Sequence, residues 1–330
     1  MGNNCAAAVD GDIMVSISCI TYNQAPYIRQ CLDGFMMQKT DFAFEVLIHD
    51  DCSTDGTDDI IREYAAKYPN VIKPLYETEN QYQSGKLAGS RIWNYPRAKG
   101  KYLSLCEGDD YWVDPLKLQK QVDFLESHPD YGMCYTDCDL QNDKTGETRH
   151  SILNTQPLHE ARFHRLDEFI VGREYVAPPS WMFRRDLYLS CTNFINSVDG
   201  TFVWFSYFLA KSKVHYIPDV TAVYRVLAES ASHSPNYEKM YRREKNILAT
   251  QKKLIDMYGL DPALKLRCEK DYYRNNLALF AIYDKKQDVN DAKKVLGELS
   301  LKQQALLCVS SLKICRAALV WFRNWRNSRR

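Results

Sequence analysis

This chain has no uninterrupted apolar run of bilayer-spanning length, so no transmembrane helix is expected in it. Its first residues, Met1 to Asp12, are small and polar and lack the apolar core of a secretory signal, and the expected location is the cytoplasm. It has no CxxC pair. Its eleven cysteines are scattered and odd in number, and only Cys134 and Cys138 stand as close as four apart. That argues against a disulfide framework or a zinc ribbon and for reduced thiols. It has almost no net charge: 43 Lys and Arg against 42 Asp and Glu leave +1, so no overall field draws it onto nucleic acid. It also lacks the glycine fingerprint of a dinucleotide-binding turn, because Thr21-Tyr22-Asn23-Gln24-Ala25-Pro26 stands where G-x-G-x-x-G would be. What it does have is apolar substance: 45% of its 330 residues are hydrophobic, enough for one large core with an appendage.

Periodicity divides the first half into alternating strands and helices. Val15 to Ile20 alternates as a strand, and a helix follows with Ile28, Cys31, Leu32, Phe35 and Met36 on one face. Phe42 to His49 gives a second strand, and Ile60, Ile61, Tyr64, Ala65 and Tyr68 mark the next helix. Further strands are expected over 70–76, 101–106 and 131–136, with a helix over 116–127. Strands and helices in this rhythm read as βαβ units in a parallel sheet, where ligands bind outside the carboxyl ends of the strands. Those ends carry the unusual polar residues: Thr21-Tyr22-Asn23, Asp50-Asp51 and Glu107-Gly108-Asp109-Asp110.

The third cluster places three carboxylates within four residues, just before Asp114-Pro115, which reads as a helix N-cap and first-turn proline. Acids crowded in a turn repel one another and lose hydration. A divalent cation with oxygen ligands compensates them; the alternative is a solvated acidic turn. Gly108 is expected to let the backbone come close to a ligand, and Tyr111 and Trp112 to wall the site. Asp51-Cys-Ser53-Thr-Asp55-Gly56 imitates the start of a calcium loop, but Arg62 in its twelfth position excludes that.

Together these residues carry a resemblance. Tyr22-Asn23 after the first strand, Asp50 to Thr57 after the second, and Glu107-Gly108-Asp109-Asp110 as the metal turn are similar to family 2 glycosyltransferases with the GT-A nucleotide-sugar fold. The match runs from about Met14 to Ala228. The resemblance implies that Tyr22 stacks on a nucleobase, the alternative being a core aromatic. It implies that Asp51 accepts the base imide hydrogen, the alternative being a helix N-cap. Glu107, Asp109 and Asp110 would hold Mg²⁺ or Mn²⁺ against the donor phosphates; which acid ligates the metal and which the ribose stays open. Thr21, Asn23 and Lys86 join the nucleotide side.

On the acceptor side, Ala177 to Arg185 resembles the family's strand and brings in Trp181. Asp199, before the apolar run Phe202 to Leu209, is the candidate base, with an N-cap as its other reading. Tyr224-Arg225 resembles a closing element that would contact diphosphate or acceptor with His233, although Leu227 stands where the family often has histidine. Asn142 to Glu160 reads as a loop or insert. From Pro235 the pattern is helical, and Leu312 to Trp325 is a basic amphipathic run suited to a membrane surface or to docking on protein.

The expected architecture is therefore α/β: a GT-A, Rossmann-like, mostly parallel sheet flanked by helices, with a helical extension. The domain spans 12–234, nucleotide-sugar binding over 12–139 and acceptor side over 140–234, and the extension 235–330. The expected activity is inverting, hexosyltransferase-type transfer from a nucleotide-sugar, uridine-linked, to a hydroxyl of a glycan or lipid-linked oligosaccharide, without nucleic acid, at the inner face of the membrane if the last run docks there. Nucleotidyl transfer to a sugar phosphate and a noncatalytic nucleotide-sugar-binding protein are the rival readings.

Overall fold

The structure, a computed structural model, describes residues 12–84, 90–154, 164–191, 195, 197–227, 236–312 and 315–320. Within them the chain forms two compact units. One comprises Met1–His164, Tyr175–Asn193 and Tyr207–Val226, and the other Arg165–Glu174, Phe194–Ser206 and Leu227–Arg330.

The elements in chain order begin β1 (Val15–Thr21), α1 (Ala25–Met36), β2 (Phe44–Asp50), α2 (Thr57–Lys67), β3 (Ile72–Tyr76), α3 (Ser90–Trp93) and β4 (Tyr102–Leu105). Next come β5 (Tyr111–Trp112), α4 (Lys117–Ser127), β6 (Tyr131–Asn142), β7 (Thr148–Arg149), α5 (Leu166–Gly172), β8 (Trp181–Arg184) and α6 (Arg185–Leu189). The chain continues through α7 (Gly200–Lys211), β9 (Lys213–Val226), α8 (Tyr237–Met257), α9 (Ala263–Ile282), α10 (Lys286–Leu296) and α11 (Leu301–Ser311).

All nine strands belong to one sheet of the first unit, in the order β3-β2-β1-β4-β8-β6-β9-β5, with β7 hairpinned onto β6. The β3-β2-β1-β4 side is parallel throughout. Beyond β4 the sheet is mixed: β8 runs antiparallel to both β4 and β6, β9 parallel to β6, and β5 antiparallel to β9. Most paired residues lie in parallel ladders, as the βαβ rhythm predicts. The antiparallel pairs come from strands whose order no local pattern encodes.

Val15, Ile17 and Cys19 are fully buried on one face of β1, and Ser16 and Ser18 are buried on the other, as a strand covered on both sides requires. Ile28, Cys31, Leu32 and Phe35 line the buried face of α1. A Cβ on Gly34 would lie 2.9 Å from the Trp112 backbone nitrogen, so only glycine lets β5 cross this helix so closely. The stretch after Leu140 is more ordered than a loop: β6 continues to Asn142 and turns at Gly146, with φ +72°, into β7. Residues 155–160 of that stretch lie outside the described residues.

The second unit is helical. Ile247, Leu254 and Ile255 of α8 and Leu277, Phe280 and Ala281 of α9 are buried. The Gln251 amide donates to the Ile170 carbonyl at 2.7 Å, satisfying the end of α5. Arg173 forks onto Glu244 at 2.6 and 3.0 Å. Among the described residues no helix is long and apolar enough to cross a membrane.

Candidate active site

The parallel register brings the three polar clusters to one sheet edge. Thr21 pairs with Asp50, and the chain stays hydrogen-bonded to β1 beyond the strand ends: Asp51 N donates to Thr21 O at 3.0 Å, Cys106 N to Ser18 O at 3.1 Å and Gly108 N to Ile20 O at 3.0 Å.

The loops after β1 and β2 are then knitted by side chains. Asn23, in the left-handed region at φ +49°, accepts from Thr54 N at 2.8 Å, and its own N donates to Ser53 Oγ at 2.9 Å. Gln24 N donates to Thr57 Oγ1 at 2.8 Å, and Ala25 N to Asp55 Oδ2 at 3.0 Å. The Asp50-to-Thr57 motif is thus largely a brace, and Asp51 does not cap α2: the N-cap is Gly56, with no side-chain cap bond, and Asp55 accepts from Thr57 N at 3.0 Å just ahead of it. Asp51 is buried, and its two carboxylate oxygens accept from Gln81 N at 2.8 Å and Tyr82 N at 3.2 Å. Each oxygen keeps a further lone pair for a donor. Tyr22 is exposed beside it and accepts from Gln83 Nε2 at 3.3 Å. Thr21 is buried, with its hydroxyl on Gln24 at 2.7 Å, so its backbone rather than its side chain shapes the pocket.

The acid turn is held from below by Arg225. The Arg225 backbone N–H donates to Asp110 Oδ1 at 2.8 Å and its guanidinium to the Asp109 carbonyl at 2.5 Å and to Gln30. The same guanidinium lies over the rings of Tyr111 at 4.4 Å and Tyr27 at 5.1 Å. It therefore fixes and neutralises the turn, a different position from the diphosphate or acceptor contact expected for it. Gly108 has a different reason too: a Cβ there would lie 2.6 Å from Gln24 Oε1 and 2.7 Å from Thr21 Oγ1, so the close approach is to protein, not ligand. Trp112 is buried, with its indole N–H on the Pro179 carbonyl at 2.9 Å, and packs into the core instead of walling the site.

Loss of hydration and then the Asp109 charge push Glu107 up to about 7. Loss of hydration also raises Asp109, opposed by Arg225, and raises Asp110 well above the carboxylate range. Glu107 and Tyr175 are both open to solvent, yet dehydration dominates both of their shifts. Asp109 Oδ1 is buried with no hydrogen-bond partner. Among the described residues no three His, Cys, Asp or Glu side chains converge as a metal site, and Asp110 already accepts from Arg225. Glu107 and Asp109 nevertheless fit a divalent cation, because a buried carboxylate oxygen without a partner, close to a second dehydrated acid, is what such a cation would satisfy.

The remaining candidates separate. Trp181 is 1% exposed and its indole N–H donates to the Val176 carbonyl at 3.2 Å, which puts it in the core instead of on the expected acceptor surface. Asp199, in the second unit, caps α7 through Phe202 N at 3.1 Å and pairs with Arg243 at 3.0 Å. Lys86 and His233 lie outside the described residues. Sequence patterns missed Tyr27, Gln30 and Lys117. Lys117 is fully buried, hydrogen-bonded to Gln121 at 2.6 Å and set 4.3 Å from the Trp112 ring, and burial pulls it down to about 7. In the sequence it looks like any solvated helix lysine.

The profile described as Glycosyl transferase family 2 matches residues 16–190. An uncharacterised protein of Mycobacterium tuberculosis is 50% identical over 121 residues, which cover 37% of this chain and 34% of that protein. The Escherichia coli UDP-Glc:alpha-D-GlcNAc-diphosphoundecaprenol beta-1,3-glucosyltransferase WfaP is 35% identical over 114 residues, covering 34% of this chain and 42% of WfaP. The matched segments thus span well under half of these relatives. Among solved structures, S. aureus TarS 1-349 in complex with UDP-GlcNAc matches with a TM-score of 0.52 at 18% identity, covering 86% of this chain and 91% of that one. The mannosyltransferase PcManGT from Pyrobaculum calidifontis, in complex with GDP-Man and Mn²⁺, matches with a TM-score of 0.57 at 19% identity, covering 97% and 87%. Such likeness shows the GT-A fold. The family profile covers more than half of a chain whose polar strand ends meet at one acid turn, and this chain belongs to glycosyl transferase family 2.

Proposed function

We propose that this enzyme is an inverting, metal-assisted transferase that moves a hexose from a UDP-sugar to a hydroxyl of a glycan or lipid-linked oligosaccharide. We assign 12–234 to the transferase domain and 235–330 to its extension. The observation that carries the reading is the buried Asp109 Oδ1 without a hydrogen-bond partner, in the turn after β4, whose parallel neighbours β1 and β2 end at Thr21 and Asp50. TarS is described with UDP-GlcNAc, PcManGT with GDP-Man and Mn²⁺, and WfaP is named for a diphosphoundecaprenol-linked acceptor. In this reading Asp51 accepts the imide N–H of the base, which uracil and guanine both offer, and Tyr22 covers its face. Glu107 and Asp109 would hold a divalent cation, whose chemistry there would be to stabilise negative charge on a departing nucleoside diphosphate. Arg225 keeps the turn in place. Asp199 takes the acceptor proton, and a single displacement with one base inverts the anomeric centre. The run from Leu312 to Trp325 brings the enzyme to the membrane surface where a lipid-linked acceptor is presented.

Turnover with a panel of UDP-, GDP- and dTDP-sugars, read by product mass spectrometry, tests this. Release of UDP with a β-linked product from an α-linked donor is expected; a retained configuration or a purine-only donor range would overturn it.

Arg225→Met keeps the stem and removes the cation. Hydrogen bonds to charged groups contribute about 1.5–3 kcal/mol each, so a lower melting temperature and a raised metal requirement are expected. Arg225→Lys restores the charge without the planar fork and should recover only part of both. A melting curve and metal titration identical to the parent's would remove Arg225 from the positioning role.

A further inference from the structure

Strand β2 is buried along its whole length, and a strand covered on both faces is ordinarily apolar throughout. Its polar members need partners. Glu45 accepts from Ser16 Oγ at 2.6 Å, and Asp50 accepts from Ser53 N at 3.3 Å. The third, His49, is 2% exposed and meets Glu77, the residue just past β3, with 3.2 Å between Nε2 and Oε1. Facing a carboxylate, Nε2 carries the proton and donates it. Burial pulls the His49 pKa down, opposed by Glu77, so the ring is neutral at pH 7 and this bond fixes its tautomer. The Trp93 indole of α3 stacks on the imidazole at 4.9 Å and 5°, which sets the plane of the ring as well.

From Glu77 the bonds run outward to the strand ends. Gln81 Nε2 donates to Glu77 Oε2 at 3.3 Å, and the N–H groups of Gln81 and Tyr82 hold the two carboxylate oxygens of Asp51. Asn80 Nδ2 donates to the Asp51 carbonyl at 3.0 Å, and Asn80 Oδ1 accepts from Gln83 N at 2.7 Å. Gln83 Nε2 in turn donates to the Tyr22 hydroxyl. One turn, residues 80–83, therefore touches both Asp51 and Tyr22. Tyr82 and Gln83 are exposed, so the turn has little apolar burial of its own to hold its shape. Its path into the buried sheet through Glu77 ends on His49.

We infer that His49 is a positioning residue for nucleobase recognition: through Glu77 and Gln81 it sets the Asp51 carboxylate toward the imide N–H of the base. The inference rests on the base pocket proposed above and adds the buried support behind its selectivity. Valine or isoleucine would fill this place in the strand without a polar group to satisfy. What separates the His49–Glu77 pair from core filling is the second Glu77 oxygen, which is bonded to the very residue whose backbone holds Asp51.

Calorimetry of the full chain with two ligands tests this: UDP, and UDP methylated at N3 of the base, which has no imide hydrogen. The parent should favour UDP by roughly tenfold or more, as one charge-assisted hydrogen bond requires. His49→Phe keeps a ring to stack on Trp93 and removes the donor, and the preference should fall by about threefold or more. His49→Gln places an amide N–H near the Nε2 position and should recover most of it. A role confined to stability would lower the melting temperature and weaken both ligands by the same factor. An unchanged preference in His49→Phe therefore overturns the inference and leaves the base pocket standing. Should His49→Phe fail to fold, Glu77→Gln interrupts the same path outside the strand, because its amide nitrogen cannot accept from Gln81. The same fall is expected there, and a preference equal to the parent's would overturn the inference. A parent that does not distinguish the two ligands, binding both alike or neither, removes the base pocket and the inference with it.

Discussion

Asp109→Asn is expected to lower transfer by roughly 10²- to 10³-fold, the equivalent of the several kcal/mol that a cation contributes to a developing leaving-group charge. Stability separates this loss from misfolding. Burial raises the Asp109 pKa in the fold, so its ionised form opposes folding once the pH exceeds the unfolded value. Asparagine removes that charge while keeping the shape, and in chelator at pH 8 the variant should melt at or above the parent. Mn²⁺ binding only to the folded state at about a hundred times its dissociation constant adds about 2.7 kcal/mol. For a chain of this size that should raise the parent's melting temperature by several degrees and the variant's much less. Equal turnover of parent and variant, or a parent indifferent to both chelator and Mn²⁺, would sink the metal assignment.

Asp199→Asn is expected to cut transfer by something like 10²–10⁴-fold with donor affinity unchanged. The substitution is selective because asparagine caps a helix as well as aspartate does. The bonds to Phe202 N and Thr201 therefore have a replacement acceptor. Only the charge facing Arg243 is lost, and Arg243 retains Glu244 at 3.6 Å. Calorimetry with UDP and a melting curve should both match the parent. A variant that transfers at the parent rate would remove Asp199 from the mechanism, and Glu174 would be the next acid to replace.

The donor half of the fold was legible because its signals are local. Alternation, helical spacing and strand-end polarity placed β1, α1, β2, α2, β3, β4 and α4 to within a few residues. The position of β8 between β4 and β6 was not legible, because it depends on pairing between segments about 50 to 80 residues apart. At the site, sequence identified the acid turn but not what supports it. Arg225 stands 115 residues from Asp110, and no periodic signal links them. Trp112 and Trp181 misled because an aromatic near a polar motif reads as a wall, whereas both indoles are buried and donate to backbone carbonyls. Asp50 to Thr57 was read for ligand chemistry, and most of its polar atoms turned out to hold one loop against another.

The Arg225 clamp also sets an order of events while the protein is being made. The acid turn leaves the ribosome 115 residues before the arginine that neutralises it, a delay of roughly 6 to 23 s at ordinary elongation rates. Throughout that interval Asp109 and Asp110 lack their cation and β5 lacks β9, its pairing strand. Until then the nascent chain must keep these acids in water, because burying them unpaired would cost more than the half-built sheet could return. Nucleotide binding is therefore a late event of synthesis, and a nascent chain stalled before residue 225 should carry a folded β1–β4 core with no competent donor pocket.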